Sequence, residues 1–291
     1  MSGCLAGPSC LEISHSPMRQ AAYTMPSEDS HPPSIAVKGR AEVIVDETPM
    51  SGRFNMAMDA AMLELGATRD VSVIRIYRWR EPTVSVGYFQ GSSDHQQSPF
   101  PGLPTVRRLS GGGAILHDLE ITYSCTLPAS HPVRQDPSEL YGIIHRSLIK
   151  LLRECGAECM LRSEFDSNQF AKIKAELPSG NINALVAEEP FLCFLRSNPN
   201  DIVHESGIKI VGSAQRRRKG ITLQHGSILL SASQVCPEVS GILQLVKEFN
   251  APQFSSRLPD MIADSIAQEW TIRSYSDSER AICSEFLSNP A

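Results

Sequence analysis

Three stretches of this chain alternate apolar and polar residues with the two-residue period of a strand that has one buried face: "ITYSCTLP" (121–128), "GIKIVGSAQ" (207–215) and "ITLQHGSILL" (221–230). Successive side chains of a strand point to opposite faces of its sheet, so each stretch is committed to a sheet and resists reading as a helix. In the first, Ile121, Tyr123, Cys125 and Leu127 share one face and Thr122, Ser124 and Thr126 the other, which places Cys125 in the core. The second and third flank "RRRKG", which reads as a hairpin turn. "AEVIVDE", "VSVIRIYRW" and "TVSVG" add strand candidates nearer the start.

Helical spacing lies between them. Phe54, Met58, Ala61, Met62 and Leu65 mark one helix face, ending at Gly66. Asp136, Pro137 and Glu139 stand where an N-cap, a first-turn proline and an N3 acceptor belong, and Leu140, Ile143, Ile144, Ser147, Leu148, Leu151 and Leu152 continue one face up to Gly156. After Leu230 the sequence turns helical in character, as in "EVSGILQLVKEF". The strands cluster in neighbouring pairs instead of alternating strictly with helices. The expected class is therefore α+β, a mixed sheet flanked by helices, and not a doubly wound parallel sheet.

Residues 1–40 are rich in Ser, Pro and His without periodicity and read as a disordered tail. One domain is expected over 41–232, and 233–291 reads as a helical extension packed on it. Residues 163–189 are polar with little periodicity and read as a long loop. With 27 basic against 32 acidic residues the net charge is −5, so no global field draws in nucleic acid. Eight cysteines in 291 residues are too sparse for a disulfide scaffold, and together with the lack of a leader they point to reduced thiols and a cytoplasmic protein. No apolar run is long enough to cross a bilayer, and neither end carries a lipidation signal.

The chemistry-bearing segment is "RRLSGGGAILHDLEITYS" (107–124). Gly111, Gly112 and Gly113 either make a tight turn between strands or bare the backbone so that its amides approach a ligand. The segment lacks the ending of a P-loop and the spacing of a dinucleotide fingerprint. Arg107 and Arg108 point to opposite faces of a strand, so only one of them faces such a ligand. Lys209, between apolar neighbours, is either exposed or placed to polarise a carbonyl. Cys193 in "FLCFL" reads by pattern as a buried structural cysteine; a nucleophilic role needs a nearby cation or base, for which His117, His204 and His225 are candidates. Cys155 and Cys159 form a lone CxxxC without a second ligand pair, which does not make a zinc site.

In order and in sequence, "FNMAMDAAML", "YRWREPTVSVGYFQ", "RRLSGGGAILHDLEITYS", the "CF" at 193–194 and "GIKIVGSAQRRRKGITLQHGSILL" resemble the lipoate/biotin protein ligase superfamily, over about residues 42–230. Within it the chain is most similar to the cysteine-dependent octanoyltransferases. The resemblance implies the sheet-and-helix fold shared with biotin ligases and class II aminoacyl-tRNA synthetases, with an acyl group in a tunnel. It implies that Cys193 takes an octanoyl group from an acyl carrier protein as a thioester and that a lysine of a lipoyl carrier domain, such as the glycine cleavage H protein or an E2 lipoyl domain, then attacks it. Lys209 would contact the acyl carbonyl. Arg107, Arg108, Ser110, the three glycines, His117, Asp118, Gly212, Ser213 and Ala214 would line the substrate pocket, with no cofactor or metal. An ATP-dependent lipoate ligase, an amidotransferase between lipoyl domains and a non-catalytic acyl-binding or carrier-binding protein are the alternatives. The basic run Arg216, Arg217, Arg218 and Lys219 is either a solvated turn or a patch that steers an acidic carrier.

Overall fold

A computed structural model describes residues 39–91, 99–176 and 191–289. The tail expected over 1–40 falls outside the described residues apart from its last two, Gly39 and Arg40.

The main sheet has the order β11-β1-β2-β6-β10-β9-β8-β7. Its strands are β1 (Arg40–Val45), β2 (Ser72–Tyr77), β6 (Glu120–Leu127), β7 (Cys159–Leu161), β8 (Ile202–His204), β9 (Lys209–Arg218), β10 (Ile221–Leu229) and β11 (Glu269–Ile272). β1 runs parallel to both its neighbours, and the other pairings are antiparallel, so the sheet is mixed as the clustered strands require. A small second sheet, β4-β3-β5, is built from β3 (Thr83–Val86), β4 (Thr105–Arg107) and β5 (Ile115–His117). The glycine segment is the connection between β4 and β5.

Helices cover the main sheet. Ile121, Tyr123, Cys125 and Leu127 of β6 enter the large core with α2 (Glu139–Glu154) and α4 (Ala251–Ile266), through Leu140, Ile144, Leu148, Leu258 and Ile262. On the other side α1 (Gly52–Leu65) packs Met58, Ala61 and Met62 against Ile44, Val73 and Cys283 of α5 (Asp277–Ser288). Thr122, Ser124 and Thr126 face that side, and every residue of β6 is buried. The polar face of the alternation thus meets protein instead of water, and its hydroxyls need partners inside the molecule.

Three expectations are corrected. The N-cap position of α2 is Ser138, and Asp136 instead accepts a hydrogen bond from the Ser138 amide at 3.0 Å, a turn closed by the aspartate side chain. Residues expected to begin a long loop form α3 (Arg162–Glu176), whose helix-favouring Glu, Gln, Ala and Lys outweigh a weak apolar period; the rest of that segment lies outside the described residues. The hairpin turn is two residues long, not five. Lys219 and Gly220 both take positive φ, 52° and 82°, so the turn matches the strand twist while Arg216, Arg217 and Arg218 continue β9. The segment 233–291 is mainly helical, as expected, and in addition carries β11, which joins the edge of the main sheet beside β1.

That return is fastened by Glu279, whose side chain is fully buried and receives Arg69 at 2.5 Å and Arg273 at 2.8 Å, while capping the Ser276 amide at 2.7 Å. Burial alone would raise this carboxyl, but the two guanidinium groups outweigh it and hold it down to about 2. A depressed carboxylate contributes stability that is present above the unfolded value near 4.5 and is lost as pH falls toward 2. Glu279→Gln is therefore expected to cost on the order of 3 kcal/mol at neutral pH and to flatten the acid limb of the unfolding curve. Urea titrations of both proteins between neutral and acid pH measure this, and parallel acid limbs would refute it.

Candidate active site

Between the small sheet and the polar face of the main sheet lies a cavity of about 380 Å³, whose wall holds Cys193, Lys209 and the three glycines. Cys193 opens a single 3-10 turn, Cys193–Leu195. Its amide donates to the Ala114 carbonyl at 2.7 Å and the Ala114 amide donates to Phe191 at 3.1 Å, so the cysteine turn is tied directly to the strand that leaves the glycine loop. The apolar pattern around Cys193 belongs to its neighbour: Leu192 is buried, while Cys193 itself is half-buried and exposes its sulfur to the cavity.

Lys209, the first residue of β9, reaches the same turn. Its Nζ lies 3.1 Å from the Cys193 carbonyl oxygen, 3.9 Å from Sγ and 2.9 Å from the Asp201 carboxylate. Lysine and aspartate are both almost completely buried, so the strand position that sequence left open is an inward one.

The glycine loop is bare because two backbones and a guanidinium meet there. Gly112 has φ +94°, and a Cβ on it would come within 3.0 Å of Arg108 Nη2 and 4.0 Å of Cys193 Sγ. A Cβ on Gly87, at the end of β3, would strike the Gly112 carbonyl oxygen at 2.1 Å. Arg108 is 1% exposed and donates through Nη2 to the carbonyls of Gly111 at 2.7 Å and Gly113 at 2.6 Å, and through Nη1 to the Ser85 carbonyl at 3.0 Å. Burial and the neighbouring Arg196 lower it to about 10, which still leaves a cation at neutral pH. Arg107 turns the other way and holds the carbonyls of Gly87, Tyr88 and Gln90 at 2.7–3.1 Å.

Two buried carboxylates satisfy the polar floor. Glu120 accepts from His117 Nδ1 and from Thr122, each at 2.6 Å, while His117 Nε2 accepts from Ser85 Oγ at 2.7 Å. Burial lowers His117 despite Glu120, and Trp79 stacks on its ring at 3.8 Å. On the other flank Asp59 accepts from Ser124 at 2.9 Å and Tyr77 at 3.1 Å. It lies 3.7 Å from His225, which is hydrogen-bonded in turn to Ser110. Although Ser85, His117 and Glu120 have the connectivity of a nucleophile-base-acid triad, Ser85 is fully buried and its Oγ also takes a bond from Arg108 at 3.2 Å, so these residues are scaffold.

The structure brings Cys193, Lys209, Arg108, Gly111, Gly112, Gly113, His117, Gly212, Ser213 and Ala214 to one cavity wall. Ser110 reaches it through His225. Arg107 and Asp118 stand apart; Asp118 accepts from Ser233 at 2.7 Å on the far side of β5. His204 turns to Ser206 at 2.9 Å. Sequence reading missed Asp201 and His145. His145 sits on the apolar face of α2, where its neighbours Ile144 and Leu148 disguise it, and its Nε2 accepts from Ser213 at 2.7 Å. Burial, with the Lys209 charge adding to it, pushes His145 down to about 4, so it is neutral.

Residues 51–268 match the family model of the lipoyl protein ligase A/B catalytic domain. Octanoyltransferase LipM of Kyrpidia tusciae is 38% identical over 185 residues, 62% of this chain and 62% of the relative. That of Staphylococcus epidermidis is 37% identical over 181 residues, 60% of this chain and 61% of the relative. The chain thus spans about 62% of the length of these relatives. Among solved structures, a bipartite lipoate protein ligase from Thermoplasma acidophilum, described with its E2 lipoyl domain, superposes with a TM-score of 0.61 at 18% identity, covering 87% of this chain and 93% of that one. Lipoate-protein ligase A bound with ATP gives 0.59 at 19% identity, covering 87% and 95%. At these identities the structural likeness speaks for the fold. The family model takes in more than half of the 291 residues, and the chain belongs to the lipoyl protein ligase A/B catalytic domain family.

Proposed function

We propose that this protein is a cysteine-dependent octanoyltransferase of lipoate assembly, which moves an octanoyl group from an acyl carrier protein to a lysine of a lipoyl carrier domain. The observation that carries this reading is the half-buried Cys193 sulfur on the cavity wall, 3.9 Å from the Lys209 ammonium. The two LipM relatives support the reaction type, and the E2 lipoyl domain described with the Thermoplasma ligase supports the acceptor class. An acyl carrier donor and unpaired thiols suit a cytoplasmic enzyme.

The chemistry is two acyl exchanges through one covalent intermediate. The Cys193 sulfur attacks the thioester carbonyl, the carrier leaves as its thiol, and the octanoyl group stays on Cys193. The acceptor amine then attacks that thioester, forming the amide and returning the cysteine thiol; no nucleotide enters either step. Both tetrahedral intermediates place a negative oxygen beside Cys193, where the Lys209 ammonium and the Arg108 guanidinium are already held without reorganisation. The hydrocarbon chain rests among Met56, Trp79 and Ile115. Beside them His117 and Thr122 are bonded to Glu120 and Tyr77 to Asp59, so these three groups do not need water that the chain would displace.

Incubating the protein with octanoyl acyl carrier protein in the absence of ATP is expected to give a single octanoyl adduct, labile to hydroxylamine and absent from Cys193→Ala, by intact-protein mass spectrometry. Lys209→Met is expected to slow adduct formation by about 10²–10³-fold, the effect typical of one oxyanion donor. An unmodified protein that acylates a lipoyl domain only with ATP and free octanoate would replace this reading with a ligase. Octanoyl transfer only from an octanoylated lipoyl domain would replace it with an amidotransferase.

Carrier steering falls on Arg216 and Arg217. Arg218 and Lys219 pair with Glu64 at 3.1 and 3.6 Å, whereas Arg216 stacks on Tyr88 at 4.3 Å near the glycine loop. Reversing both Arg216 and Arg217 to Glu is expected to slow capture severalfold at low salt and much less at high salt. Stopped capture assays across ionic strength measure this, and a salt-independent rate would leave these residues as solvated strand ends.

A further inference from the structure

Asp201 has no role in any step above, yet it is the one carboxylate among the described residues that line the cavity. It is 4% exposed. Its position is fixed from several directions: Oδ2 accepts the Asn198 amide at 2.8 Å, its own amide donates to the Asn198 carbonyl at 2.9 Å, and its carbonyl accepts the Arg162 amide at 2.8 Å. The adjacent Asn200 carbonyl takes a bond from His145 Nδ1 on α2. A turn built this tightly, immediately before β8, presents a single charged group to the end of β9.

That group meets Lys209 at 2.9 Å. An ammonium has three hydrogens. Here one goes to Asp201 and one to the Cys193 carbonyl at 3.1 Å, which leaves the third directed toward Cys193 Sγ at 3.9 Å. The flexible lysine side chain has no such geometry of its own, because four torsions separate Nζ from the strand. A Cβ on Gly212 would lie 2.7 Å from Lys209 Cε and 3.7 Å from Asp201 Oδ1, so the strand also leaves room for the folded-back side chain that the pairing demands.

We infer that Asp201 is a positioning residue: it acts through Lys209, pinning the ammonium against the Cys193 turn so that its remaining hydrogen is aimed at the reacting centre. The inference rests on the octanoyltransferase reading for its consequence, but its geometry does not. The charged and titratable groups around the pair are Arg162 beside Asp201, His145 from α2 beside Lys209, and Cys193 itself. His145 is neutral, so the charge that holds Lys209 is that of Asp201.

A double-mutant cycle separates positioning from a merely structural role. Asp201→Asn keeps the side-chain shape and removes the charge, and single-turnover octanoyl capture by Cys193 is expected to slow by about 10–100-fold, with the half-saturating carrier concentration little changed. In the Lys209→Met background the same substitution is expected to change the rate by less than about threefold, because the group through which Asp201 acts is gone. Losses that multiply in full would overturn the inference, as would a wild-type rate in Asp201→Asn. An isolated buried ammonium is costly, so Asp201→Asn alone could fail to fold. The neutral pair, Asp201→Asn with Lys209→Met, is then compared with Lys209→Met alone, where equal rates support the inference and a much slower pair defeats it. If the wild-type protein captures no octanoyl group, the octanoyltransferase reading falls. The cycle is then scored on the rate at which iodoacetamide alkylates Cys193: a change confined to the Lys209 background upholds positioning, and one of equal size in both backgrounds overturns it.

Discussion

The cavity exists because a single guanidinium, that of Arg108, replaces the side chains that a glycine loop lacks. A run of three glycines has the largest conformational entropy to lose on folding and no side chains with which to hold itself. Arg108 supplies the missing fastening by binding the carbonyls on either side of Gly112 through Nη2, while Nη1 binds Ser85 of the neighbouring strand. The loop is therefore rigid without being filled. A side chain at Gly112 would meet the guanidinium, its Cβ coming within 3.0 Å of Arg108 Nη2.

The guanidinium in turn depends on the layer beneath it. Ser85 is held by His117, His117 by Glu120, and Glu120 also gathers Thr122 and Ser227 from the adjacent strands β6 and β10. Asp59 does the same on the α1 side, collecting Ser124, Tyr77 and Arg75. A buried polar layer of this kind is favourable only when every member is satisfied. Here its hydroxyls, imidazoles and carboxylates bond to one another inside the protein, and Thr126 Oγ1 and Arg108 Nε are left without a hydrogen-bond partner among the described residues.

Much of this was legible in the residues. The two-residue period placed β6, β9 and β10 and put Cys125 in the core, and the opposed faces of Arg107 and Arg108 follow from the same period. The glycine motif, the cysteine and the lysine were found through their order along the chain. What escaped had no local signature. His145 occupies an apolar helical position, and Asp201 is brought to Lys209 only by the β8–β9 pairing, which joins Ile202 to Val211 and Val203 to Lys209 through an irregular register. Hydropathy misread Cys193 because its flanking apolar residues divide between two sides of a short turn: Leu192 packs inward with Val84 and Ala114, while Leu195 is 53% exposed. β11 was missed since Glu269–Ile272 carries an exposed edge with no clean alternation.

Placing one thiol correctly also means withdrawing the others. Among the described residues five further cysteines are free, and all five are buried. Burial raises each of their thiols: Cys159 is pushed up to about 12 and Cys236 to about 11, Cys125 further still, and Cys155 and Cys283 in the same direction. Such thiols are poor nucleophiles, and their burial closes them to any bulky thioester, the proposed carrier-borne substrate included. Cys193 differs in position, not in residue type. Its sulfur meets the cavity beside Lys209 and Arg108, where the hydrophobic core ends and the glycine backbone begins. In the proposed reaction, the preference for Cys193 over the other described thiols follows from the same division of space that keeps the glycine loop open.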